Sequence, residues 1–366
     1  MRLMLLGLSL FLGPGAVFVQ AAPTPPVQPV SGPGGSDYPY ARIARHSTGE
    51  GSDDATVFWP EQPTATGPLP VVVFTHGWGA VKPEHYEAWI NHLVRRGAIV
   101  IYPRYQETLR VKPETFTKHA VDGVRRAVAW LGEQKSVPQP DPQRWATVGH
   151  SAGGVLAANL SIELPKAGLP CPKAVMSVEP GLTRGPEGPL LPLSDLSQMT
   201  ANTLLLAVTG EDDELVGDRD ARRIYEEAVA VPAAQKDLLQ LPSDDHGSPA
   251  LVATHRAPAA PLPGYEPPQR KEPKGLLRKR IAKKAKERLA ERGLDLDASS
   301  KEPAVTDALD YYGTWKLFDA LCTAAFENKY REFALGGGAA QLDMGRWSDD
   351  TPVKPIVRLL PAPQKR

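Results

Sequence analysis

The sequence predicts an α/β protein in which a mostly parallel sheet is covered by helices on both faces. Three observations lead to this prediction. Short, continuous apolar runs recur along the chain, stretches with helical spacing of apolar residues lie between them, and glycines and prolines separate the two. Strands of a parallel sheet are buried on both faces and are therefore apolar throughout, and helical crossovers connect them. A chain of 366 residues, of which 42% are hydrophobic, is long enough to bury such a sheet.

The predicted elements follow one another from residue 40 onward. Residues 40–46 and 55–59 predict two opening strands, and the buried strands are predicted at residues 71–74, 98–102, 145–148, 174–178, 203–208 and 237–241. Helices are predicted at residues 83–96, 117–131, 152–162, 218–230 and 306–326. Apolar residues recur at helical spacing in 117–131, and 306–326 is amphipathic. The last helix contains the aromatic run 311–315, which we expect either to pack on the sheet or to border a binding pocket.

The first 21 residues predict a secretory signal peptide. Arg2 gives a basic start, residues 3–12 are mostly apolar, and small residues around Ala21 suit a cleavage site. That run is shorter than the roughly 18 apolar residues of a membrane span, and no later run reaches this length. Residues 22–37 are rich in proline and glycine and predict a flexible linker. We therefore expect an exported protein, periplasmic or extracellular, with one folded domain over residues 38–366.

Charge and cysteine content exclude several classes of protein. The 42 basic and 42 acidic residues leave no formal net charge, which argues against a surface built for nucleic acid. Two cysteines are too few for a disulfide framework, and whether Cys171 pairs with Cys322 stays open. No histidine pair at helix-face spacing stands beside a carboxylate, and no phosphate-binding glycine loop is present. We expect neither a metal ion nor an organic cofactor.

The strongest chemical signal is the run Gly-His-Ser-Ala-Gly-Gly at residues 149–154, between a predicted strand and a predicted helix. This context is typical of a nucleophile elbow, a tight turn that holds its central serine in a strained backbone conformation. Only small residues two positions before and two after the serine avoid a clash, hence Gly149 and Gly153. Ser151 is therefore the predicted nucleophile, at the start of a helix whose dipole favours negative charge.

A serine nucleophile needs a histidine to take its proton and an acid to orient that histidine. In this architecture both follow the nucleophile, acid first, on loops after later strands. Asp213 is the preferred acid, its neighbour Asp212 is the near alternative, and Glu179, at the end of the preceding strand, is a weaker one. His246 is the predicted base because it lies in the loop directly after the last strand. His255 is the only other histidine beyond the acid and lies farther past that strand.

The negative oxygen that forms on a carbonyl under attack needs two positioned hydrogen-bond donors. The N–H of Ala152, the residue after the nucleophile, is one predicted donor. The other is the N–H of Trp78 in the run His-Gly-Trp-Gly at residues 76–79, after the strand at residues 71–74. The Trp78 indole either walls the acyl side of the pocket or belongs to the core.

Over roughly residues 38–255, the sequence resembles the α/β-hydrolase superfamily. The resemblance rests on the order of the runs 76–79 and 149–154, Asp213 and His246. The short loop at residues 76–79 resembles the branch of dienelactone hydrolases, platelet-activating-factor acetylhydrolases, chlorophyllases and bacterial polyester hydrolases. The resemblance implies an esterase without metal or organic cofactor that acts on a small-molecule, lipid or polymer ester. Two features depart from it: Ser151 stands where dienelactone hydrolases have cysteine, and residues 256–303 have no counterpart.

That insertion contains a basic segment. Residues 270–292 hold eleven basic and three acidic side chains, with Leu277, Ile281, Ala285 and Leu289 at four-residue spacing. A solvated helix and a weak contact with an anionic surface are both compatible with this pattern. Three functions stay open at this point: a secreted serine esterase, which we expect, an amide or peptide hydrolase with the same residues, and a non-catalytic binding protein tethered through 270–292. Oligomeric state stays open too.

Overall fold

The computed structural model describes residues 21–108, 110–183, 190–264 and 304–359, and within them a single sheet dominates. Its nine strands lie in the order β1-β2-β4-β3-β5-β6-β7-β8-β9. Their bounds are β1 Arg42–Ser47, β2 Ala55–Gln62, β3 Leu69–Thr75, β4 Ile99–Pro103, β5 Pro140–His150, β6 Ala174–Val178, β7 Leu204–Gly210, β8 Lys236–Leu241 and β9 Val357–Arg358. The strands from β4 to β8 are parallel, and antiparallel pairs close both edges. The predicted mostly parallel α/β sheet is confirmed.

Helices cover both faces of this sheet. They are α1 Glu87–Arg95, α2 Phe116–Glu133, α3 Ala152–Lys166, α4 Arg219–Glu227, α5 Trp315–Glu327, α6 Arg331–Ala334 and α7 Ala339–Leu342. Successive residues of β3 point to opposite faces: Val72 packs with side chains of α1 and α5, and Val73 with side chains of α2 and α3. This explains why each central strand is apolar at every position.

Differences from the predicted elements occur mainly at their ends. The helix expected at 83–96 begins as a 3-10 turn, Pro83–Tyr86, and the one expected at 306–326 begins as a π-helical turn, Leu309–Thr314. Strand β9 was not predicted because two residues carry no alternating pattern. The aromatic run 311–315 packs on the sheet, where Trp315 is buried in the cluster shared with α1.

The N-terminal segment, residues 21–38, is attached to the domain, which corrects the expected flexible linker at residues 22–37. The Ser248 N–H donates to the Pro23 carbonyl at 2.8 Å, and Thr24 exchanges two hydrogen bonds with Ser348 at 2.9 and 3.0 Å. Farther along, the Gly34 N–H donates to the Asp319 carboxylate on α5 at 2.8 Å. A proline- and glycine-rich composition lowers the chance of regular structure, but backbone groups of such a segment still form hydrogen bonds.

Asp319 is a buried anchor of this N-terminal segment. Its side chain is 5% exposed and lies 2.9 Å from His92 Nε2 and 3.1 Å from Arg96 Nε. We expect Asp319→Ala to lower the free energy of unfolding by about 3–5 kcal/mol, because it leaves buried donors without an acceptor. Asp37→Ala, which removes a 47% exposed partner of Arg96, should cost under about 1 kcal/mol. Urea denaturation measures both, and equal losses would contradict the anchoring role.

The same carboxylate gives the stability a pH dependence. Burial alone would raise the pKa of Asp319, but His92, Arg96 and the Gly34 N–H outweigh it and hold that pKa below its usual value. A carboxyl with a lowered folded-state pKa stabilises the fold above its unfolded pKa of about 3.9, and this contribution is lost as the pH falls through the folded pKa.

Two of the expectations concern segments outside the described residues. Residues 1–20, most of the predicted signal peptide, and the basic segment 270–292 lie outside them. Cys171 and Cys322 are both free thiols. Within the described ranges, no helix combines the length and apolarity that a bilayer crossing requires.

Candidate active site

The candidate site lies at the carboxyl edge of the sheet, where loops after several parallel strands meet. Ser151 follows β5, Glu179 follows β6, and Asp213 lies in the loop after β7. In open α/β sheets this edge is where ligands bind. The order of strands in the sheet therefore brings together residues that are far apart in the chain.

Ser151 has the backbone conformation expected of a nucleophile elbow. Its φ of 59° and ψ of −124° lie outside the regions that L-residues ordinarily occupy. A Cβ atom at Gly149 would overlap the carbonyl of Gly153, and one at Gly153 would overlap the carbonyls of Thr75 and His76. Both glycines are thus required by close backbone contacts, as the sequence predicted. The serine is 8% exposed, and α3 begins at the next residue.

The histidine beside the serine is His255, and the prediction of His246 as its partner is wrong. His255 Nε2 lies 2.9 Å from Ser151 Oγ, and its Nδ1 lies 2.8 Å from Asp213 Oδ2. His246 lies elsewhere, with Nε2 2.8 Å from Asp349 Oδ2 and a side chain that is 37% exposed.

The path of the chain after β8 is the reason for this difference. Asp244 and Leu251 form an antiparallel bridge with two hydrogen bonds of 2.8 and 2.9 Å. Residues 245–250 therefore make an excursion with His246 on it, and the chain returns to the sheet edge before His255. The Asp212 N–H donates to the Ala253 carbonyl at 3.1 Å, which joins the returning chain to the loop after β7 that contains Asp213. The available sequence signal was the order of residues, which His255 satisfies as well as His246 does.

Asp213, rather than Asp212, is the acid that meets the histidine. Asp213 is buried, and its Oδ1 accepts hydrogen bonds from the N–H groups of Leu215 and Val216 at 3.0 and 3.1 Å. These bonds leave Oδ2 directed at His255. Asp212 is exposed. Glu179, the weaker alternative, is fully buried, and its Oε2 lies 3.5 Å from His255 Nδ1.

The loop at residues 76–79 lies directly against the nucleophile. The Gly77 N–H donates to Tyr86 Oη at 3.0 Å, and the Gly79 N–H donates to Gln106 Oε1 at 2.8 Å. Between them, the Trp78 N–H has no acceptor among the described residues. Ala152 is the first residue of α3, where backbone N–H groups lack a partner within the helix. The Trp78 indole is partly buried and packs against Phe116, 5.5 Å between ring centroids.

A second set of buried polar side chains lies behind the histidine, and the sequence did not identify it as a unit. Tyr86 Oη lies 2.8 Å from His150 Nδ1, and His150 Nε2 lies 3.4 Å from Glu179 Oε2. Burial lowers the pKa of His150 well below its usual value. Burial, and then the charge of Asp213, raise the pKa of Glu179 well above its usual value. In both side chains the shift favours the neutral form.

One group of potential metal ligands occurs among the described residues. Donor atoms of His150, Glu179 and His255 lie within 4.8 Å of one another. Both ring nitrogens of His255 already face partners, Asp213 and Ser151. A cation there would compete with those two hydrogen bonds, so we assign no metal ion to this group of side chains.

Comparison with known proteins gives the class of this domain. Residues 72–247 match a family model described as the α/β hydrolase fold. Together with the sheet order and the elbow at Ser151, this match identifies an α/β-hydrolase fold domain.

The curated relatives narrow the class further. The chain is 34% identical over 126 residues to carboxylesterase NlhH of Mycobacterium tuberculosis, which is 33% of this chain and 38% of that protein. It is 31% identical over 105 residues to esterase LipI of the same organism, covering 28% and 32%. A non-reducing polyketide synthase, ascC of Acremonium egyptiacum, is 28% identical over 153 residues, 38% of this chain and 7% of the synthase. The chain thus spans well under half the length of these relatives, which support the superfamily rather than the particular branch named above.

Proposed function

We propose that this protein is a serine hydrolase that cleaves carboxylic esters. The observation that carries the proposal is the arrangement of Ser151, His255 and Asp213. Ser151 Oγ lies 2.9 Å from His255 Nε2, and His255 Nδ1 lies 2.8 Å from Asp213 Oδ2. Three groups at hydrogen-bond distance in this order can activate a serine hydroxyl. The partial likeness to two esterases favours an ester as the substrate. The finer resemblance to polyester hydrolases and their neighbours, and export from the cell, remain predictions from the sequence.

The proposed reaction has two steps. In the first, Ser151 Oγ attacks the ester carbonyl as its proton passes to His255 Nε2, and Asp213 stabilises the positive imidazolium. The N–H groups of Trp78 and Ala152 hold the negative oxygen, and the proton on His255 then leaves with the alcohol. In the second step, water attacks the acyl carbon while its proton passes to His255, and His255 then gives this proton to Ser151 Oγ as the carboxylic acid leaves. The strained conformation of Ser151 holds its Oγ beside His255 for the attack in the first step and for the return of the proton in the second.

Neither of the other two functions gains a specific observation. A non-catalytic protein that only binds a ligand would not need Ser151, His255 and Asp213 at hydrogen-bond distance. An amide hydrolase would use the same three residues, so anilide substrates belong in the test beside esters.

The test compares the full chain with its Ser151→Ala variant and with Ser161→Ala as a matched control. Ser161 lies on the same helix, and its hydroxyl donates only to the Ala158 carbonyl. We expect a fluorophosphonate probe to label the wild type and Ser161→Ala but not Ser151→Ala. Hydrolysis of p-nitrophenyl esters should fall on the order of 10⁶-fold in Ser151→Ala. Near wild-type turnover by that variant would refute the assignment, and a series of acyl lengths would define the acyl pocket.

A further inference from the structure

Two carboxyl groups, rather than one, face the outer nitrogen of His255. Asp213 Oδ2 lies 2.8 Å from Nδ1, and Glu179 Oε2 lies 3.5 Å from the same atom. They reach it from different loops, after β7 and after β6. Glu179 adopts a φ of 44°, a left-handed conformation that is uncommon for a residue other than glycine. This conformation at the end of β6 is part of what places the side chain behind the histidine.

Glu179 lacks the partners that a buried carboxyl normally has. The residue is fully buried, and neither of its carboxyl oxygens has a hydrogen bond among the described residues. A buried polar group without a hydrogen bond costs on the order of 1–3 kcal/mol, and most proteins avoid it. Replacement by an apolar residue would remove that cost. Its presence at the site is thus better explained by function than by stability.

The surrounding groups determine where the protons are. Among the described residues, the ionisable side chains around Glu179 include His150 at the end of β5, Asp213 in the loop after β7, His255 after β8 and Tyr86 in the 3-10 turn before α1. Burial and the nearby charge of Asp213 raise the pKa of Glu179 well above its usual value, which favours a proton on Glu179 rather than a second negative charge beside Asp213. The negative charge of the pair is then concentrated on the carboxyl nearer to His255.

His150 and Tyr86 connect Glu179 to the loop at residues 76–79. Burial raises the pKa of Tyr86, so its hydroxyl keeps its proton. Its oxygen accepts the Gly77 N–H, and its own proton is donated to His150 Nδ1, the acceptor 2.8 Å away. The proton of His150 is then on Nε2 and faces Glu179 Oε2 at 3.4 Å. Buried polar side chains thus lie in a row from Gly77 to the back of His255, with hydrogen bonds as far as His150 and contacts of 3.4 and 3.5 Å from there to Glu179 and His255.

We propose that Glu179 is a positioning residue for the base, a second carboxyl that accepts the Nδ1 proton of His255 when Asp213 cannot. This inference rests on the proposed function, in which His255 is the base. In the wild type, Asp213 is the main acceptor of the Nδ1 proton because its Oδ2 lies nearer to Nδ1 than Glu179 Oε2 does. Removal of the Asp213 charge also removes one of the two causes that keep Glu179 protonated, and Glu179 then ionises at a lower pH.

The test uses four variants of the full chain: Asp213→Asn, Glu179→Gln, the double variant and Asp212→Asn as the control on the same loop. An asparagine at position 213 keeps the Oδ1 acceptor for Leu215 and Val216 but loses the acceptor for His255. The equivalent change in a triad without a second carboxyl costs about 10⁴-fold in kcat. We expect Asp213→Asn to lose on the order of 10²-fold in kcat, with KM little changed, and the double variant to lose the full 10⁴-fold.

The pH profile gives a signature that a merely structural role would not produce. The residual kcat of Asp213→Asn should rise with pH as Glu179 loses its proton, and this rise should be absent from the double variant. Glu179→Gln alone should keep most of the activity, and Asp212→Asn all of it. Equal residual activity in Asp213→Asn and the double variant, with parallel pH profiles, would overturn the proposal.

A second measurement separates this proposal from the function on which it rests. The far-downfield proton NMR signal of the His255 Nδ1–H requires a carboxylate that accepts it, and it needs no turnover. We expect the signal to persist in Asp213→Asn above the pH at which Glu179 ionises and to vanish in the double variant. Its loss in Asp213→Asn at every pH would overturn the role of Glu179. A different outcome is that the wild type fails to hydrolyse esters while the NMR signal still persists in Asp213→Asn and vanishes in the double variant. In that case the proposed function is wrong and the positioning of His255 by Glu179 stands.

Discussion

Replacement of His255 by alanine should abolish ester hydrolysis, whereas replacement of His246 should leave it nearly unchanged. His255 Nε2 is the nitrogen within 2.9 Å of Ser151 Oγ, so its loss leaves the serine without a base. In a comparable triad, loss of the histidine costs about as much as loss of the serine, on the order of 10⁶-fold in kcat. His246 contacts Asp349 at the surface, and its loss removes an exposed pair worth under about 1 kcal/mol.

The pair of variants forms its own control because both remove a histidine from the same stretch of chain. Hydrolysis of p-nitrophenyl esters and labelling by a fluorophosphonate are the two measurements, and circular dichroism verifies that each variant is folded. Loss of activity in His246→Ala together with full activity in His255→Ala would show that the chain takes another path after β8. It would also remove the basis for the role of Glu179.

Gly153→Ala should destabilise the fold strongly, because the elbow has no room for a methyl group at this position. The new Cβ would overlap the carbonyl oxygens of Thr75 and His76, and backbone atoms of β3 and its loop cannot move aside as a flexible side chain can. Overpacking of this kind costs about 1–3 kcal/mol and sometimes more, and two backbone clashes place the expected loss at about 3 kcal/mol or above. Because β3 carries the loop with Trp78, activity should fall as well.

Gly132→Ala is the matched control for this glycine. Gly132 lies in α2, and a Cβ there would meet no atom within 4 Å. Alanine favours a helix over glycine by up to about 1 kcal/mol, so this variant should be as stable as the wild type or more stable. Urea denaturation monitored by tryptophan fluorescence measures both changes. Equal midpoints for Gly153→Ala and the wild type would mean that the elbow tolerates a wider turn than the structure has.

Local patterns in the sequence determined the sheet, most of the helices and the nucleophile elbow. The strand β3 could be predicted because its apolar run, Val71 to Phe74, has to be buried on both faces. Ser151 could be predicted because the elbow needs glycines at fixed positions, and Asp213 because it lies in the loop after a strand, three residues beyond Gly210. Each of these signals arises within a few consecutive residues, where chain geometry leaves few alternatives.

Only the tertiary structure decided between His246 and His255, attached the N-terminal segment to α5, and placed Glu179 behind the base. The excursion at residues 245–250 depends on the bridge between Asp244 and Leu251, and the N-terminal segment depends on Asp319, far along the chain. The protonation of Glu179 depends on its burial beside Asp213. The sequence determined which residues can act and in what order they occur, because spacing and residue type are local. The fold decided which of them meet, because distances between remote loops depend on how the whole chain packs.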